Sequence, residues 1–443
     1  MSIFKDCDIR GIYDKELFPE DAYRVGRALA RITRGGSFCV GGDVRLSTPV
    51  LKARLIRGLL EGGCAVRDLD TIATPLMYYA LTYLPVKHGA MVTASHNPAQ
   101  YNGIKFMLEG DPVTREQMAQ LKELAQEEAA PAAQGYLVPE DILPPYLRSL
   151  QARFGSDPKG LIIVVDAGNG AMSHIAPKAF RHCGYRVTEL FCEPDGTFPN
   201  RSPNPAEYSN LGALQQAVRE EGAGFGVAFD GDGDRVVFCD EKGQVIKNER
   251  ALALFVRQLL KDAPAPVVYD QKSSSVVQRE ILKMGGTPVP ERSGHTFIKR
   301  RFLDLGAPLA GEVSGHFFFG ELGYDDGLYA ALFMGEILEA LGQPLSEALR
   351  DIVCPPITPD IRIFCPYDRQ KELLWAVEQG FPEGTIDKMD GVRVQLEKGW
   401  LLVRSSVTAE QITIRAEGES EEALHAILEK LRGVHPLLAS LPG

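Results

Sequence analysis

Short apolar runs recur along this chain, each broken by a cluster of Gly, Ser or Asp and followed by a stretch with helical spacing. Phe38-Cys39-Val40 leads into Gly41-Gly42-Asp43, Leu161 to Val165 into Asp166-Ala167-Gly168-Asn169-Gly170, and Val267-Val268-Tyr269 into Asp270-Gln271-Lys272-Ser273. Unbroken apolarity over so few residues reads as a buried strand, and strands alternating with helices predict three successive mixed α/β domains. After Cys354-Pro355-Pro356-Ile357-Thr358-Pro359, a run too proline-rich for anything but a linker, the texture changes. Short β runs (Ile361 to Phe364, Gly391 to Leu396, Trp400 to Val403) alternate with helices, and a last helix from Ser420 puts Leu424, Ile427, Leu428 and Leu431 on one face. This predicts a smaller C-terminal α+β domain.

The boundaries follow from the breaks in these patterns. A Thr114-x-x-Gln117 capping box starts a helix over Gln117 to Glu128 with Met118, Leu121 and Ala125 on one face, and the Ala/Pro-rich stretch Ala129 to Ala133 closes it. A helix-like pattern resumes from Val138 to Leu150. The strand pair after Arg235 gives way near Asn248 to an amphipathic helix through Leu252, Phe255, Val256 and Leu259. The expected domains are residues 1–145, 146–247, 248–357 and 358–443.

Composition narrows the function classes. Across 443 residues, 24% charged and 44% hydrophobic content fits an ordinary globular chain rather than a disordered or membrane one. No apolar run nears the roughly 20 residues needed to span a bilayer, and Lys5, Asp6, Asp8 and Arg10 occupy the place of a signal peptide's apolar stretch, so a cytoplasmic protein is expected. Eight scattered cysteines without a C-x-x-C pair read as reduced and mostly buried. A formal net charge of −11 argues against general nucleic-acid binding while leaving room for local basic pockets.

Candidate chemistry concentrates in four places. Asp230-Gly231-Asp232-Gly233-Asp234-Arg235 follows the apolar strand Phe225 to Phe229. Three carboxylates at alternate positions, with glycines that let the backbone bend, suit an oxygen-loving cation such as Mg²⁺ or Ca²⁺ rather than Zn²⁺. An EF-hand is excluded, because its sixth position must be Gly and here is Arg235. Thr93-Ala94-Ser95-His96-Asn97-Pro98 follows the strand Gly89 to Val92, which places the Ser95 hydroxyl on a loop at a strand end. The G-x-S-x-G elbow is absent, and a serine in such a loop more often bonds its own backbone. Together, however, a hydroxyl and a hard-cation site suit phosphoryl transfer, with Lys105 and the Arg10 of an Asp8-Ile9-Arg10-Gly11 turn as sources of positive charge. In Gly311-Glu312-Val313-Ser314-Gly315-His316 a carboxylate and a hydroxyl alternate as a grip on vicinal sugar hydroxyls would require, and His316 could donate to a phosphate or hydroxyl. Arg404-Ser405-Ser406-Val407-Thr408, after the strand Leu401 to Val403, offers Arg404, Ser406 and Thr408 as an anion cradle.

In this order and spacing the four loops resemble the α-D-phosphohexomutase superfamily, most closely its phosphomannomutase/phosphoglucomutase group. Asp8-Ile9-Arg10-Gly11, Tyr101-Asn102-Gly103-x-Lys105 and Gly294-His295-Thr296-Phe297-Ile298-Lys299 are similar to further family patterns, so the likeness spans the whole chain. It implies four domains, heart-shaped, around a central cleft to which each gives one loop. By the resemblance Ser95 carries the phosphoryl group, and Asp230, Asp232 and Asp234 with the Ser95 phosphate hold one Mg²⁺. Arg10, Lys105 and His96 serve acid–base and phosphate-stabilising roles, and Arg235 lies beside them. Glu312 and Ser314 read sugar hydroxyls, Lys272, His295 and His316 add substrate contacts, and Arg404, Ser406 and Thr408 hold the phosphate that is not reacting. The implied activity interconverts hexose 1- and 6-phosphates of mannose and/or glucose through a hexose 1,6-bisphosphate, which also serves as activator. The implied protein is a monomer or homodimer with a hexose phosphate substrate and no nucleic-acid or membrane partner. Two departures stand out: Ala409-Glu410 follows Thr408 where relatives continue with Glu-Pro or Thr-Pro, and Val313 leans away from glucosamine phosphate. Phosphoglucosamine mutase and a metal-dependent sugar phosphatase are the alternatives.

Overall fold

The computed structural model describes residues 3–5, 7–127, 134–157, 159–405 and 410–441, and these form two compact units. Residues 1–248 and 314–349 make the first unit and residues 249–313 and 350–443 the second.

The first unit holds two open sheets. In one, the parallel strands Ala65–Thr71, Ser37–Gly42 and His88–Val92 are continued by antiparallel Tyr101–Leu108 and Ile9–Ile12, with Tyr136–Pro139 on the far edge. Val40, Ala90, Val92 and Ile104 meet Leu29, Leu55 and Leu59 from the helices Pro19–Ile32 and Thr48–Glu61 in one core. Those helices cross at glycines. A Cβ at Gly26 would stand 2.3 Å from the Leu55 carbonyl oxygen, and one at Gly58 2.2 Å from that of Tyr23, so no side chain fits either position. In the other sheet Phe225–Phe229 is parallel to Ile162–Asp166 and antiparallel to Val236–Asp240, so the acidic run is the turn of a buried hairpin. The hairpin Phe317–Phe319 with Tyr324–Asp325 and the helix Gly327–Leu341 complete this unit.

The second unit pairs three parallel strands, Thr287–Glu291, Pro266–Asp270 and Leu309–Gly311, with an antiparallel sheet ordered Ile361–Phe364, Gln411–Gly418, Gly399–Ser405, Val392–Leu396, Thr385–Asp387. The helix Glu421–Arg432, capped by Ser420, buries Leu424, Ile427, Leu428 and Leu431 against this last sheet. Mixed α/β domains followed by a further sheet domain are thus the architecture, as the apolar pattern predicts.

Four local expectations change. Arg10 lies in the strand Ile9–Ile12, paired with Gly103, rather than in a turn. Arg404 lies inside the strand Gly399–Ser405, opposite Thr413, rather than on the loop beyond it. The capped helix runs over Arg115–Leu124 and ends before the expected Glu128; Ala129 to Ala133 lie outside the described residues. The helix-like reading of Val138 to Leu150 splits into the strand Tyr136–Pro139 and the helix Leu143–Phe154. All four residues of that strand are exposed, so it presents no buried face whose spacing sequence could reveal; its pairing along Ala65 to Asp68 decides it. Among the described residues no helix is long and apolar enough to cross a membrane.

Candidate active site

Ser95 stands just past the strand His88–Val92 with φ +51 and 1% exposure. A non-glycine residue in the left-handed region is strained, so its surroundings must hold it there. They do so through a buried arginine that sequence reasoning missed. Arg45, 1% exposed, donates from Nη2 to the carbonyls of Ser95 (2.7 Å) and Asn97 (2.6 Å) and from Nη1 to those of Pro98 (2.7 Å) and Tyr101 (3.0 Å). Its Nε donates to Asp43 Oδ2 at 3.0 Å, which occupies the last of the five guanidinium N–H groups. Asp43 also accepts from Thr48 and Thr93 hydroxyls at 2.7 Å each, and Thr93 Oγ1 accepts from the Ser95 N–H at 2.9 Å. The available signal was the placement of Asp43 and Arg45 directly after a buried strand, where open sheets gather functional groups.

The three aspartates of the run are fully buried. Ser95 Oγ donates to Asp230 Oδ2 at 2.7 Å, while Asp230 Oδ1 accepts from the Gly233 and Arg235 N–H groups at 2.9 and 3.2 Å. Lys105 Nζ bridges Asp232 Oδ2 (2.9 Å) and Asp234 Oδ2 (2.6 Å). The helix Thr74–Tyr83 anchors the turn from below, with the Thr74 hydroxyl on Asp232 Oδ2 at 2.7 Å and the Thr74 N–H on the Asp232 carbonyl at 2.8 Å. His316 Nε2 lies 3.2 Å from Asp234 Oδ1, accepts from Arg235 Nε at 3.3 Å, and its Nδ1 meets Ser314 Oγ at 2.9 Å.

Electrostatics here divide sharply. Burial, then the neighbouring Asp234 and Asp232 carboxylates, push Asp230 well above its usual range. Burial acts on Asp234 in the same sense but is outweighed by Lys105, His316 and Arg235, which hold it well below. Lys105 is held above its ordinary value because Asp232 and Asp234 overcome the cost of its own burial. One oxygen from each aspartate lies within 4.8 Å of the others, and Asp232 Oδ1 and Asp234 Oδ1 have no hydrogen-bond partner among the described residues. An all-oxygen set with two such buried oxygens and more negative than positive charge fits a hard divalent cation.

Ser95 Oγ is 3.4 Å from His96 Nδ1, and burial together with the Arg235 and Arg10 cations holds that imidazole well below its ordinary value. Arg10 Nη2 donates to Asp8 at 2.6 Å and Nη1 to Asn97 Oδ1 at 3.2 Å. The first unit therefore brings together Ser95, His96, Arg10, Lys105, the three aspartates, Arg235, Ser314 and His316.

Lys272, His295, Glu312 and Arg404 belong to the second unit. Lys272 Nζ meets Asp360 Oδ2 at 2.9 Å, and Arg404 Nε forms an ion pair with Asp390 Oδ2 at 3.0 Å. His295 opens the helix His295–Leu305 behind Gly294, whose φ is +136. Glu312 follows the strand Leu309–Gly311 and is buried. Ser406 and Thr408 lie outside the described residues.

Comparison with known proteins agrees along the length of the chain. Residues 1–132, 144–243 and 247–354 match the phosphoglucomutase/phosphomannomutase alpha/beta/alpha domains I, II and III. The chain is 38% identical over 434 residues to the phosphomannomutase/phosphoglucomutase of Pseudomonas aeruginosa, covering 96% of this chain and 94% of that protein. It is 39% identical over 447 residues to the phosphoglucomutase of Neisseria meningitidis serogroup B, covering 98% and 96%. A crystal structure of a phosphoglucomutase/phosphomannomutase family protein from Burkholderia thailandensis superimposes with a TM-score of 0.91 at 33% identity, covering 100% of this chain and 98% of that one.

Proposed function

Because the chain belongs to the phosphoglucomutase/phosphomannomutase family, we propose that it interconverts hexose 1-phosphates and hexose 6-phosphates of mannose and glucose through a phosphorylated Ser95 and a bound hexose 1,6-bisphosphate. The observation that carries this reading is the 2.7 Å hydrogen bond from Ser95 Oγ to Asp230, beside two further buried carboxylates and Lys105. A hydroxyl nucleophile set directly against a hard-cation site is the arrangement phosphoryl transfer needs.

In the first half of the cycle a sugar hydroxyl oxygen bonds to the phosphorus on Ser95 as the bond from phosphorus to Oγ breaks. The proton that the hydroxyl loses is the one that Oγ gains, and Lys105, His96 and Arg10 are the groups that assist this transfer and steady the phosphate. The bisphosphate then reorients, and the second half reverses these bonds with the other phosphate, so atoms and charge balance over the cycle. A Mg²⁺ held by Asp230, Asp232, Asp234 and an oxygen on Ser95 would offset negative charge on the transferring group. Arg10 and Arg235 supply the remaining positive charge there. Glu312 with Ser314 and His316 reads the sugar hydroxyls, and Lys272, His295 and Arg404, with Ser406 and Thr408, bind the substrate and its second phosphate. Hexose 1,6-bisphosphate serves as activator because it rephosphorylates Ser95 whenever the intermediate escapes. Buried cysteines outside any disulfide, among them Cys39, Cys64, Cys183 and Cys239, suit the reducing cytoplasm.

A coupled assay with Mg²⁺ and a trace of hexose 1,6-bisphosphate tests this against mannose 1-, glucose 1- and glucosamine 1-phosphate. The 6-phosphates of mannose and glucose are expected. Isomerisation of none of the three would overturn the reading, and steady release of inorganic phosphate instead would make the protein a phosphatase. Ser95→Ala should lower turnover by at least about 10³-fold.

A further inference from the structure

Lys272 and Arg404 come from different sheets of the second unit, yet one line of polar contacts joins them. The Lys272 N–H donates to Asp270 Oδ1 at 2.9 Å, and Ser293 Oγ donates to the same oxygen at 2.7 Å. The Ser293 N–H donates to Asp390 Oδ2 at 3.3 Å, and that oxygen forms the 3.0 Å ion pair with Arg404 Nε. Gln271 Nε2 adds a bond to the Asp390 carbonyl at 3.4 Å. Asp390 is 9% exposed. The next residue, Gly391, has φ +84, and a Cβ there would meet the Val403 carbonyl oxygen at 2.4 Å and Arg404 Cα at 2.7 Å. The turn thus lies on the backbone of Arg404 itself, and only glycine allows so close an approach.

Asp390 tethers Arg404 by charge, as an ion pair at Nε rather than an aligned hydrogen bond. A guanidinium drawn in at Nε keeps Nη1 and Nη2, the fork that grips two phosphate oxygens at once. Among the described residues no partner engages either terminal nitrogen of Arg404. A long side chain already fixed in its binding rotamer loses less entropy when the anion arrives.

We propose that Asp390 is a positioning residue for substrate binding: it holds Arg404 with its terminal nitrogens presented to a phosphate monoester, and through Ser293 it fixes the turn leading to His295 in the same frame. The ligand is the sugar phosphate group that is not being transferred. This rests on the mutase reading above. Because that phosphate is gripped equally in the ground and transition states, the consequence of losing Asp390 falls on KM rather than kcat.

The test titrates glucose 6-phosphate by calorimetry into Ser95→Ala protein, with and without Asp390→Asn, Arg404→Ala and both. Asp390→Asn should weaken binding about 10-fold when Arg404 is present and have less than about a twofold effect when it is absent. In the Ser95-containing enzyme the same change should raise KM about 10-fold and leave kcat within about threefold. Unchanged affinity in Asp390→Asn would overturn the proposal, and so would an equal loss in the Arg404→Ala background, because the carboxylate would then act through something other than Arg404. Calorimetry needs no turnover, so a wild-type chain that isomerises nothing would reject the mutase reading while the affinities still decide the role of Asp390.

Discussion

The surroundings of Ser95 in the first unit and those of Arg404 and Lys272 in the second are opposite solutions to the placement of charge. Around Ser95 three fully buried carboxylates share one lysine, and Arg235 Nε stands 4.0 Å from the third. Negative charge is left over, which is costly in a buried place unless another cation joins it. In the second unit each of the two cations faces a carboxylate, Asp360 for Lys272 and Asp390 for Arg404, and Arg415 stands 3.6 Å from Asp360 as well. Both cations have an opposite charge beside them, so the local design orients rather than demands. Under the proposed function the difference teaches that one set of residues collects a cation and the other receives an anion without being unstable in its absence.

The contrast breaks most visibly if the excess negative charge is removed. Asp232→Asn keeps the shape of the turn and the bond from the Thr74 hydroxyl but deletes one charge and one anionic ligand. Turnover should fall by at least about 10³-fold, accompanied by a large rise in the Mg²⁺ concentration needed for half-maximal rate. Kinetics over a Mg²⁺ series measure both. A variant with wild-type Mg²⁺ dependence would mean that the acidic run is a structural turn.

The scaffold beneath Ser95 comes next in size. Arg45→Lys keeps the charge but loses the planar fork, leaving several buried carbonyls of the Ser95 loop without donors. Turnover should fall about 10²-fold because Ser95 leaves its φ of +51, and stability should fall by about 3–5 kcal/mol. Mg²⁺ affinity should fall less than in Asp232→Asn, since Arg45 holds the loop of one proposed ligand and leaves the three aspartates in place. An enzyme with normal turnover and only a lowered unfolding midpoint would reduce Arg45 to a packing role.

The apolar pattern exposed the strands that carry the site because they are buried, and burial writes itself into the residues of the strand. Phe225–Phe229 and Phe317–Phe319 are examples. Likewise Asp230, Asp232, Asp234 and Ser95 could be recognised because their chemistry lies within six-residue motifs. What depends on a distant partner stayed hidden. Arg45 looks like any loop cation until the chain brings Ser95 to Tyr101 around it. Arg404 belongs to a strand only because Thr413 lies opposite, and Arg10 only because Gly103 does. The pairings of Lys272 with Asp360 and of Arg404 with Asp390 have no local signature at all, because neither partner carries a motif of its own.

The smallest effect sharpens the comparison by asking what a buried carboxylate does without a cation. Asp326 caps the helix Gly327–Leu341, accepting from the Leu328 and Tyr329 N–H groups at 2.9 and 3.0 Å and from the Tyr146 hydroxyl at 2.8 Å. Burial raises it from 3.8 to about 7, the Tyr146 hydroxyl and the Leu328 N–H only partly offset the rise, and the nearby Asp325 adds to it. The folded state therefore binds more protons than the unfolded state between pH 4 and 7. Stability from this group is full below about pH 4 and is lost as pH rises through about 7, by an amount of order 2–4 kcal/mol. Asp326→Asn keeps an acceptor oxygen for the helix N–H groups but does not titrate. Its unfolding midpoint should match or fall slightly below wild type at pH 5 and exceed it at pH 8, so the two curves should cross. Parallel curves would mean that the three donors alone stabilise the charged form, and that a buried carboxylate here needs no cation.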